Sequence, residues 1–125
     1  MPGGSSVLIV DDDPDIRALV RVLLETESDI TIDLRCDEAA DGFHGFEMWQ
    51  EQHHDVVVLD QRMPGMSGID VARTLLDLDP EQVVILFSAN LDLHTIEVAH
   101  SVGVRAALSK LELSELTRAV ADALG

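Results

Sequence analysis

The chain is poor in basic residues, in cysteine and in long apolar runs, and each shortage excludes a class of function. Eight lysines and arginines stand against 24 aspartates and glutamates, so the net charge is −16. This balance argues against direct nucleic-acid binding, which needs a basic surface, and against docking on an anionic membrane. One cysteine, Cys36, excludes an internal disulfide and favours a reducing cytoplasm. The first apolar run stops at Val10, which is too short for a signal peptide or a membrane span.

Length and apolar content predict one compact domain that spans residues 1–125. A chain of 125 residues, of which 46% are hydrophobic, can bury a core of its own. No internal repeat, linker or low-complexity segment divides it. The first six residues are mostly small or polar, and we expect residues 1–6 to form a flexible N-terminus.

The stretch from residue 56 to residue 66 organises the rest of the chain. Its first four residues are apolar and mostly β-branched, and they end abruptly in Asp60; the turn residues Pro64 and Gly65 follow. Such a run predicts a strand that is buried on both faces, as in a parallel sheet covered by helices. Asp60 then lies at the carboxyl end of the strand, the edge where open α/β sheets bind ligands. From this stretch alone, Asp60 is equally a strand terminator or a reactive group.

A second apolar run, residues 7–10, also ends in acidic residues. Asp13 precedes Pro14, which predicts a helix with Asp13 as the N-cap and Pro14 as its first residue. Asp13 therefore has a sufficient structural role. Asp11 and Asp12 have no such role, and like Asp60 they stand at a strand end.

The remaining segments continue the alternation of strands and helices. We predict strands at residues 30–34, 83–87 and 106–108, and helices at 39–52, from Ser67 onward, at 93–101 and from Ser114 onward. Gly42 and Gly45 are expected to weaken the helix at 39–52. The residues expected to face inward on this helix are Ala39, Ala40, Phe43, Phe46 and Trp49. Ser67 and Asp70 resemble a capping box. Five strands that alternate with five helices predict βαβ units, a parallel sheet and right-handed crossovers.

Four of the predicted strands end in residues of complementary chemistry: Asp11 with Asp12, then Asp60, Ser88 and Lys110. Carboxylates that lie within about 5 Å of one another repel by about 3 kcal/mol per pair at an effective dielectric near 20, so they need a cation. Hard oxygen ligands with open positions suit Mg²⁺. Lys110 and Ser88 can contact phosphoryl oxygens, and Asp60 can act as a nucleophile. The set supplies the positioning and charge neutralisation that phosphoryl transfer requires.

These motifs resemble the receiver domain of two-component response regulators over essentially the full length of the chain. The matching segments are LIVDDD at residues 8–13, LDQRMPGMSG at 59–68, FSA at 87–89 and SK at 109–110. The resemblance implies a single receiver domain of the flavodoxin-like α/β class. Its fold would be (βα)5 and doubly wound, with a five-stranded parallel sheet in the order 2-1-3-4-5.

The resemblance also implies a role for each site residue. Asp60 would accept a phosphoryl group from a histidine kinase or a phosphotransfer protein. Asp12, Asp60 and the main-chain carbonyl of Arg62 would ligate Mg²⁺, and Asp11 would contact the ion through water. Ser88 would be the switch hydroxyl. Further implied roles are phosphoryl binding by Ala89 and Lys110, and tuning of the phosphoryl lifetime by Arg62 and Asn90.

Phosphorylation in this family switches a protein interaction surface. The partner downstream would be a protein or an output domain. A homodimer through the fourth helix, fifth strand and fifth helix is also implied.

Two positions depart from the family pattern. Ala107 stands where the family usually has tyrosine or phenylalanine, and the chain has no tyrosine at all. Leu111 follows Lys110 where the family often has a proline joined by a cis peptide bond. Because a non-proline cis bond costs about 2.5–4 kcal/mol, we expect the bond between Lys110 and Leu111 to be trans. Neither change touches the phosphorylation chemistry, but both alter the usual route of signalling.

Three functions compete on these residues. The leading hypothesis is a phosphorylation-controlled switch that catalyses only its own phosphorylation and dephosphorylation and is otherwise not an enzyme. The alternative is a phosphorylation-independent adaptor that keeps the fold as a binding module, which Ala107 and Leu111 leave open. A hydrolase acting on external phosphate esters is disfavoured, because such enzymes generally need an aspartate where Arg62 stands.

The adjacent histidines His53 and His54 have no third metal ligand near in sequence, so we expect a solvated loop there instead of a metal site.

Overall fold

The computed structural model describes residues 4–30, 33–89 and 91–125. Within these ranges the elements follow one another as β1 (Gly4–Val10), α1 (Pro14–Thr26), β2 (Asp33–Ala39), α2 (Gly42–Glu51), β3 (Val56–Leu59), α3 (Gly68–Leu78), β4 (Val83–Ser88), α4 (Leu93–Val102), β5 (Ala106–Ser109) and α5 (Leu113–Leu124). All strand pairs are parallel and the order is β2-β1-β3-β4-β5. The predicted flavodoxin-like (βα)5 fold is confirmed. No helix in the described ranges is long and apolar enough to cross a membrane.

Two apolar cores lie on opposite faces of the sheet. In β1, Leu8 and Val10 belong to the core shared with α2, α3 and α4, whereas Val7 and Ile9 belong to the core shared with α1 and α5. The residues of β3 divide between the two cores in the same way. Because both faces are covered by helices, residues 7–10 of β1 and all four residues of β3 are apolar instead of alternating with polar residues.

Two predicted helix N-termini, both next to the carboxyl edge of the sheet, are confirmed. The Asp13 side chain accepts a hydrogen bond from the Asp15 backbone N–H at 2.9 Å, and Pro14 is the first residue of α1. Ser67 and Asp70 form a reciprocal capping box at the start of α3, with hydrogen bonds of 3.1 and 3.2 Å. Both caps fix where the chain leaves the sheet edge and enters a helix.

The predicted position of the second strand is wrong. The strand was expected at residues 30–34, but β2 spans Asp33–Ala39, and residues 31 and 32 lie outside the described part of the chain. Arg35, Asp37 and Glu38 interrupt any apolar pattern in this segment. β2 is an edge strand that its ladder with β1 holds in place, and its half-buried Asp37 and Glu38 bind side chains of other elements. Pairing with a distant strand therefore outweighs local strand propensity here.

The same pairing corrects the expected N-terminus. Residues 4–6 belong to β1 and pair with residues 33–35 of β2, so they are not part of a flexible terminus. The Ser6 backbone N–H also donates to Asp55 Oδ2 at 2.9 Å. Residues 1–3 lie outside the described ranges.

The inward face predicted for the second helix is confirmed at Trp49, which is 1% exposed, and at Phe46, which packs against the core, but it is wrong at Phe43. α2 begins at Gly42 after the N-cap Asp41, and Phe43 is 62% exposed. Gly45 faces the sheet, and a Cβ atom there would lie only 2.9 Å from a methyl carbon of Val10. The glycines thus allow α2 to approach β1 and α3 closely, which is a packing role and not only a helix weakness.

The two adjacent histidines differ from the expected solvated loop. His54 is 3% exposed, and its Nε2 lies 2.8 Å from Asp37 Oδ2 on β2. His53 is more exposed and stacks on the buried ring of Trp49 at a centroid distance of 3.9 Å. A tertiary contact with β2 thus holds His54, whereas His53 packs locally on the helix that precedes it.

Candidate functional site

Four strands end at one edge of the sheet, and a candidate site residue stands at each end. Asp11, Asp60 and Lys110 directly follow β1, β3 and β5, and Ser88 is the last residue of β4. The Asp60 backbone N–H donates to the Val10 carbonyl at 2.9 Å, and the Lys110 N–H donates to the Ser88 carbonyl at 3.0 Å. The sheet hydrogen bonding thus continues one residue beyond the strands and fixes the backbone of the site.

Three carboxylates converge at this edge. Asp11, Asp12 and Asp60 each present one carboxylate oxygen, and these oxygens all lie within 4.8 Å of one another. Asp11 and Asp60 are 3% and 6% exposed, whereas Asp12 is exposed. Hard oxygen donors that are open to solvent on one side fit a divalent cation such as Mg²⁺. Elsewhere in the described ranges no comparable group of three acidic, histidine or cysteine ligands occurs.

Lys110 is the cation that the structure places among these acids. Its Nζ lies 2.8 Å from Asp11 Oδ2 and 3.3 Å from Asp60 Oδ2. Burial by itself lowers the pKa of Lys110, but the hydrogen bonds and charges of the two carboxylates outweigh it and raise this pKa above its usual value. The ammonium therefore stays charged at neutral pH and bridges the two carboxylates.

The buried carboxyl of Asp11 is also perturbed. Burial raises its pKa, the hydrogen bonds from Lys110 and from the Asp13 backbone N–H oppose the rise, and the charge of Asp60 adds to it. The two acids next to Lys110 thus compete for one cation. This is the electrostatic situation expected of a site built to bind a further positive charge.

The predicted switch segment begins at the sheet edge that carries the acids. Ser88 is 1% exposed, and the next residue, Ala89, is exposed. Asn90 lies outside the described residues. α4 follows, and Ala99 is its buried residue. The segment therefore begins in the core and continues into a helix that has little buried surface to stabilise it.

The loop after β3 folds back tightly on the backbone of Asp60. The Gly68 N–H donates to the Gln61 carbonyl at 3.1 Å, and Gln61 Oε1 accepts from the Ile69 N–H at 2.9 Å. The Arg62 side chain in this loop is exposed. The sequence analysis missed the side-chain bond of Gln61, because its partner follows eight residues later and belongs to the next helix.

Arg17 is a second residue that the sequence analysis missed. Its Nη1 donates to the backbone carbonyl of Asp11 at 2.7 Å, and its Nε donates to Glu38 Oε1 at 3.1 Å. The one available signal was that Arg17 stands a single turn beyond the N-cap Asp13, at the end of α1 nearest the acids. Its partner Glu38 lies on β2, so the contact depends on the tertiary fold.

The two residues that depart from the family pattern differ in burial. Ala107 is half-buried and packs against the core shared with α2, α3 and α4. Leu111 is 93% exposed beside Lys110. No cis peptide bond occurs in the described residues, so the predicted trans bond between Lys110 and Leu111 is confirmed.

Comparison with known proteins places these features in one family. The profile of the response regulator receiver domain matches residues 7–121. The chain is 29% identical over 115 residues to sporulation initiation phosphotransferase F of Bacillus subtilis, which is 91% of this chain and 89% of that protein. The nitrate/nitrite response regulator protein NarL of Escherichia coli is 30% identical over 86 residues, 69% of this chain and 38% of that protein.

Another relative is matched over a small part of its own length. A protein-glutamate methylesterase/protein-glutamine glutaminase of Pyrococcus horikoshii is 34% identical over 80 residues, 64% of this chain. The chain spans only 21% of the length of that protein.

Solved structures agree with the fold. A response regulator receiver domain protein from Clostridium thermocellum superposes with a TM-score of 0.84 at 26% identity, over 96% of this chain and 94% of that chain. A LuxR-family two-component response regulator from Aurantimonas gives a TM-score of 0.86 at 25% identity, over 97% and 85% of the two chains. With its profile match over residues 7–121, its sheet order and its acidic edge, the chain belongs to the response regulator receiver domain family.

Proposed function

We propose that this chain is a phosphoacceptor that receives a phosphoryl group on Asp60 from a histidine kinase or a phosphotransfer protein. The observation that carries the proposal is the position of the Lys110 ammonium, 2.8 Å from Asp11 and 3.3 Å from Asp60, beside three converging carboxylates. The lysine can transfer its contact from a carboxylate to a phosphoryl oxygen. The family membership supports the same reaction.

The acids are proposed to hold Mg²⁺ during the reaction. Asp12, Asp60 and the main-chain carbonyl of Arg62 would be direct ligands, and Asp11 would contact the ion through water. When bound, the ion supplies positive charge that neutralises the phosphoryl oxygens. The exposed side of the cluster at Asp12 leaves room for waters and for the phosphoryl group, which Mg²⁺ commonly keeps as ligands.

The transfer itself is a displacement at phosphorus. A carboxylate oxygen of Asp60 forms a bond to phosphorus while the bond from phosphorus to the donor histidine nitrogen breaks, and the electron pair leaves with the imidazole. Lys110 and the Ser88 hydroxyl would contact phosphoryl oxygens, and Ala89, the exposed residue after Ser88, would also take part in phosphoryl binding. In autodephosphorylation, water attacks phosphorus, the Asp60 carboxylate is released and inorganic phosphate departs. The chain acts as a catalyst only on itself.

The proposed output is a changed protein interaction surface at residues 88–101, in the loop after β4 and in α4. A downstream protein or an output domain would recognise this surface, and the face formed by α4, β5 and α5 is the proposed homodimer interface. Direct nucleic-acid binding by this chain and membrane docking are not part of the proposal, because the net charge is −16. We place the reaction in the cytoplasm, where the single cysteine stays reduced.

The test is phosphorylation by a small phosphodonor. Incubation with acetyl phosphate and Mg²⁺ is expected to raise the intact mass by one phosphoryl group, and Asp60→Asn is expected to abolish the gain. Asp77→Asn is the matched control, because Asp77 is an exposed aspartate on α3 that should not affect the reaction. An equal gain in Asp60→Asn would refute the assignment of the acceptor.

The same experiment addresses the alternative function. If the wild-type mass stays unchanged at saturating donor and Mg²⁺ while the protein is folded, the phosphoacceptor proposal is wrong. A phosphorylation-independent adaptor that uses the fold as a binding module would then be the better account.

A further inference from the structure

The backbone of Asp11 is held on both sides by bonds outside the acidic cluster: its N–H belongs to the peptide group shared with Val10, and its carbonyl belongs to the peptide group shared with Asp12. The Asp11 N–H donates to the Ala39 carbonyl of β2 at 3.1 Å. The Asp11 carbonyl, which lies just past the end of β1, accepts a hydrogen bond of 2.7 Å from Arg17 Nη1. The Arg17 side chain is only 17% exposed, so water competes weakly for this contact.

Glu38 fixes the orientation of the Arg17 guanidinium. Its Oε1 accepts from Arg17 Nε at 3.1 Å, and its Oε2 accepts from Arg21 Nε at 2.8 Å. The guanidinium is planar and its donors have fixed directions. Once Nε is bound to Glu38, Nη1 is therefore aimed at the Asp11 carbonyl.

The orientation of the peptide group shared by Asp11 and Asp12 matters for the acids. Side chains of adjacent residues in an extended strand point to opposite faces of the sheet. Asp11 and Asp12 nevertheless present oxygens within 4.8 Å of each other and of Asp60. The chain must turn between the two residues, and the plane of the peptide that joins them sets the directions of both carboxylates.

We propose that Arg17, held by Glu38, is a positioning residue that sets the geometry of the Asp11 and Asp12 carboxylates for Mg²⁺. The inference rests on the proposed function, since it concerns the metal site of that reaction. Arg17 does not touch the metal or the phosphoryl group in this account. It acts through the backbone carbonyl of Asp11, in the way that outer partners of metal ligands orient the ligands themselves.

The charge of Arg17 alone would affect Mg²⁺ affinity in the opposite direction, so the direction of the change in Kd tests the proposal. Arg17 carries a positive charge near the acids, so its removal should strengthen Mg²⁺ binding if charge alone matters. If Arg17 instead positions the carboxylates, its removal should weaken Mg²⁺ binding. Loss of such an outer partner typically costs about 10–100-fold in metal affinity.

The experiment measures Mg²⁺ affinity by titration calorimetry and by the metal-induced rise in Tm. In Arg17→Met, which keeps most of the apolar stem, the Kd for Mg²⁺ is expected to rise about tenfold or more. Arg21→Met is the matched control, because Arg21 also lies on α1 and also binds Glu38 but has no bond to Asp11. Its Kd is expected to stay within about twofold of wild type, since only a distant charge is lost.

A conservative variant separates orientation from charge. Arg17→Lys keeps the positive charge but cannot reach Glu38 and the Asp11 carbonyl together, so its Kd is expected to lie between wild type and Arg17→Met. This variant also keeps the test decisive if Arg17→Met fails to fold.

The outcomes are distinguishable. An unchanged or tighter Kd in Arg17→Met, or equal weakening in Arg17→Met and Arg21→Met, overturns the inference while the metal site stands. Absence of Mg²⁺ binding in wild type overturns the metal site of the proposed function as well.

Discussion

The α-carbon of Gly68 lies directly against the backbone carbonyl of Asp60. A Cβ atom at this position would overlap the carbonyl oxygen, and it would also lie 2.9 Å from Leu86 Cδ1. The first residue of α3 is thus packed on the backbone of the proposed phosphoacceptor. Any larger residue must displace either the start of α3 or the loop that follows Asp60.

Gly68→Ala is therefore expected to affect both stability and reactivity. The clash involves backbone and cannot be relieved by a side-chain rotation, so we expect a loss of about 2 kcal/mol in the free energy of unfolding. Phosphorylation by acetyl phosphate should also slow, because the Asp60 backbone shifts. Urea unfolding and the rate of mass gain measure the two effects.

Gly4→Ala is the control for this prediction. A Cβ atom on Gly4 would meet only the Asp33 carbonyl oxygen at 4.0 Å, which is ordinary contact. Unfolding free energies of Gly68→Ala and Gly4→Ala that agree within error would contradict the packing argument.

Lys110→Met should destabilise the protein without Mg²⁺ and increase its response to the metal. The substitution leaves the buried carboxylates of Asp11 and Asp60 without their cation, which costs about 3 kcal/mol. Mg²⁺ no longer competes with the ammonium, so the metal-induced rise in Tm should exceed that of wild type. Lys110→Arg keeps the charge and serves as the control. A smaller metal-induced rise in Lys110→Met than in wild type would show that the lysine does not compete for these acids.

Arg62 is expected to slow the loss of the phosphoryl group. Its exposed side chain stands two residues past Asp60 and lines a cavity with Asp92. The pKa of Asp92 is lowered mainly by the Thr95 backbone N–H and to a smaller extent by the charge of Arg62. Because Arg62 follows Asp60 by two residues in the loop that leaves the sheet edge, we expect its side chain to limit the approach of water to a phosphoryl group on Asp60.

In Arg62→Ala we expect several-fold faster dephosphorylation with phosphorylation preserved, measured by the decay of the phosphorylated mass after donor removal. Arg73→Ala, at an exposed arginine of α3, is the control. Asn90→Ala belongs in the same series, because the sequence predicts a rate-tuning role there too. Decay at the wild-type rate in Arg62→Ala and Asn90→Ala would refute this role.

Phosphorylation should reorder the segment from Ser88 to about residue 101 more than β5. Ala107 has no aromatic ring to follow the switch hydroxyl, whereas α4 has little buried surface and so a low local stability. Hydrogen exchange with and without beryllofluoride should change in this segment and stay nearly constant in β5. The account is wrong if the largest change maps instead to β5 and α5.

Cys36 should resist alkylation in the native protein. It is 5% exposed, and burial raises the pKa of its thiol to about 11. At pH 8 only about one thiol in a thousand is then ionised, and the thiolate is the reactive form. Iodoacetamide should modify the urea-unfolded protein rapidly and the native protein slowly, as followed by intact mass. Comparable rates in the two states would mean that the thiol is accessible.

The sequence by itself determined the central architecture and the composition of the site. The apolar runs of β1, β3 and β4 are signals that each strand carries locally, since a strand buried on both faces must be apolar throughout. The caps at Asp13 and Ser67 are equally local, because a capping side chain bonds an N–H two or three residues away. Parallel strands bring their carboxyl ends to one edge, so the residues after those runs could be placed together in advance.

Only the tertiary structure decided the features whose partners are distant in sequence. β2 takes its position from the ladder with β1, and the exposed Phe43 and inward Gly45 follow from how closely α2 approaches Val10. The buried His54 contacts Asp37 of β2. Arg17 binds Glu38 of β2 and donates a hydrogen bond to the Asp11 carbonyl. In each case the stabilising contact joins segments that meet only after the sheet has formed. Local propensity and residue spacing therefore do not predict it.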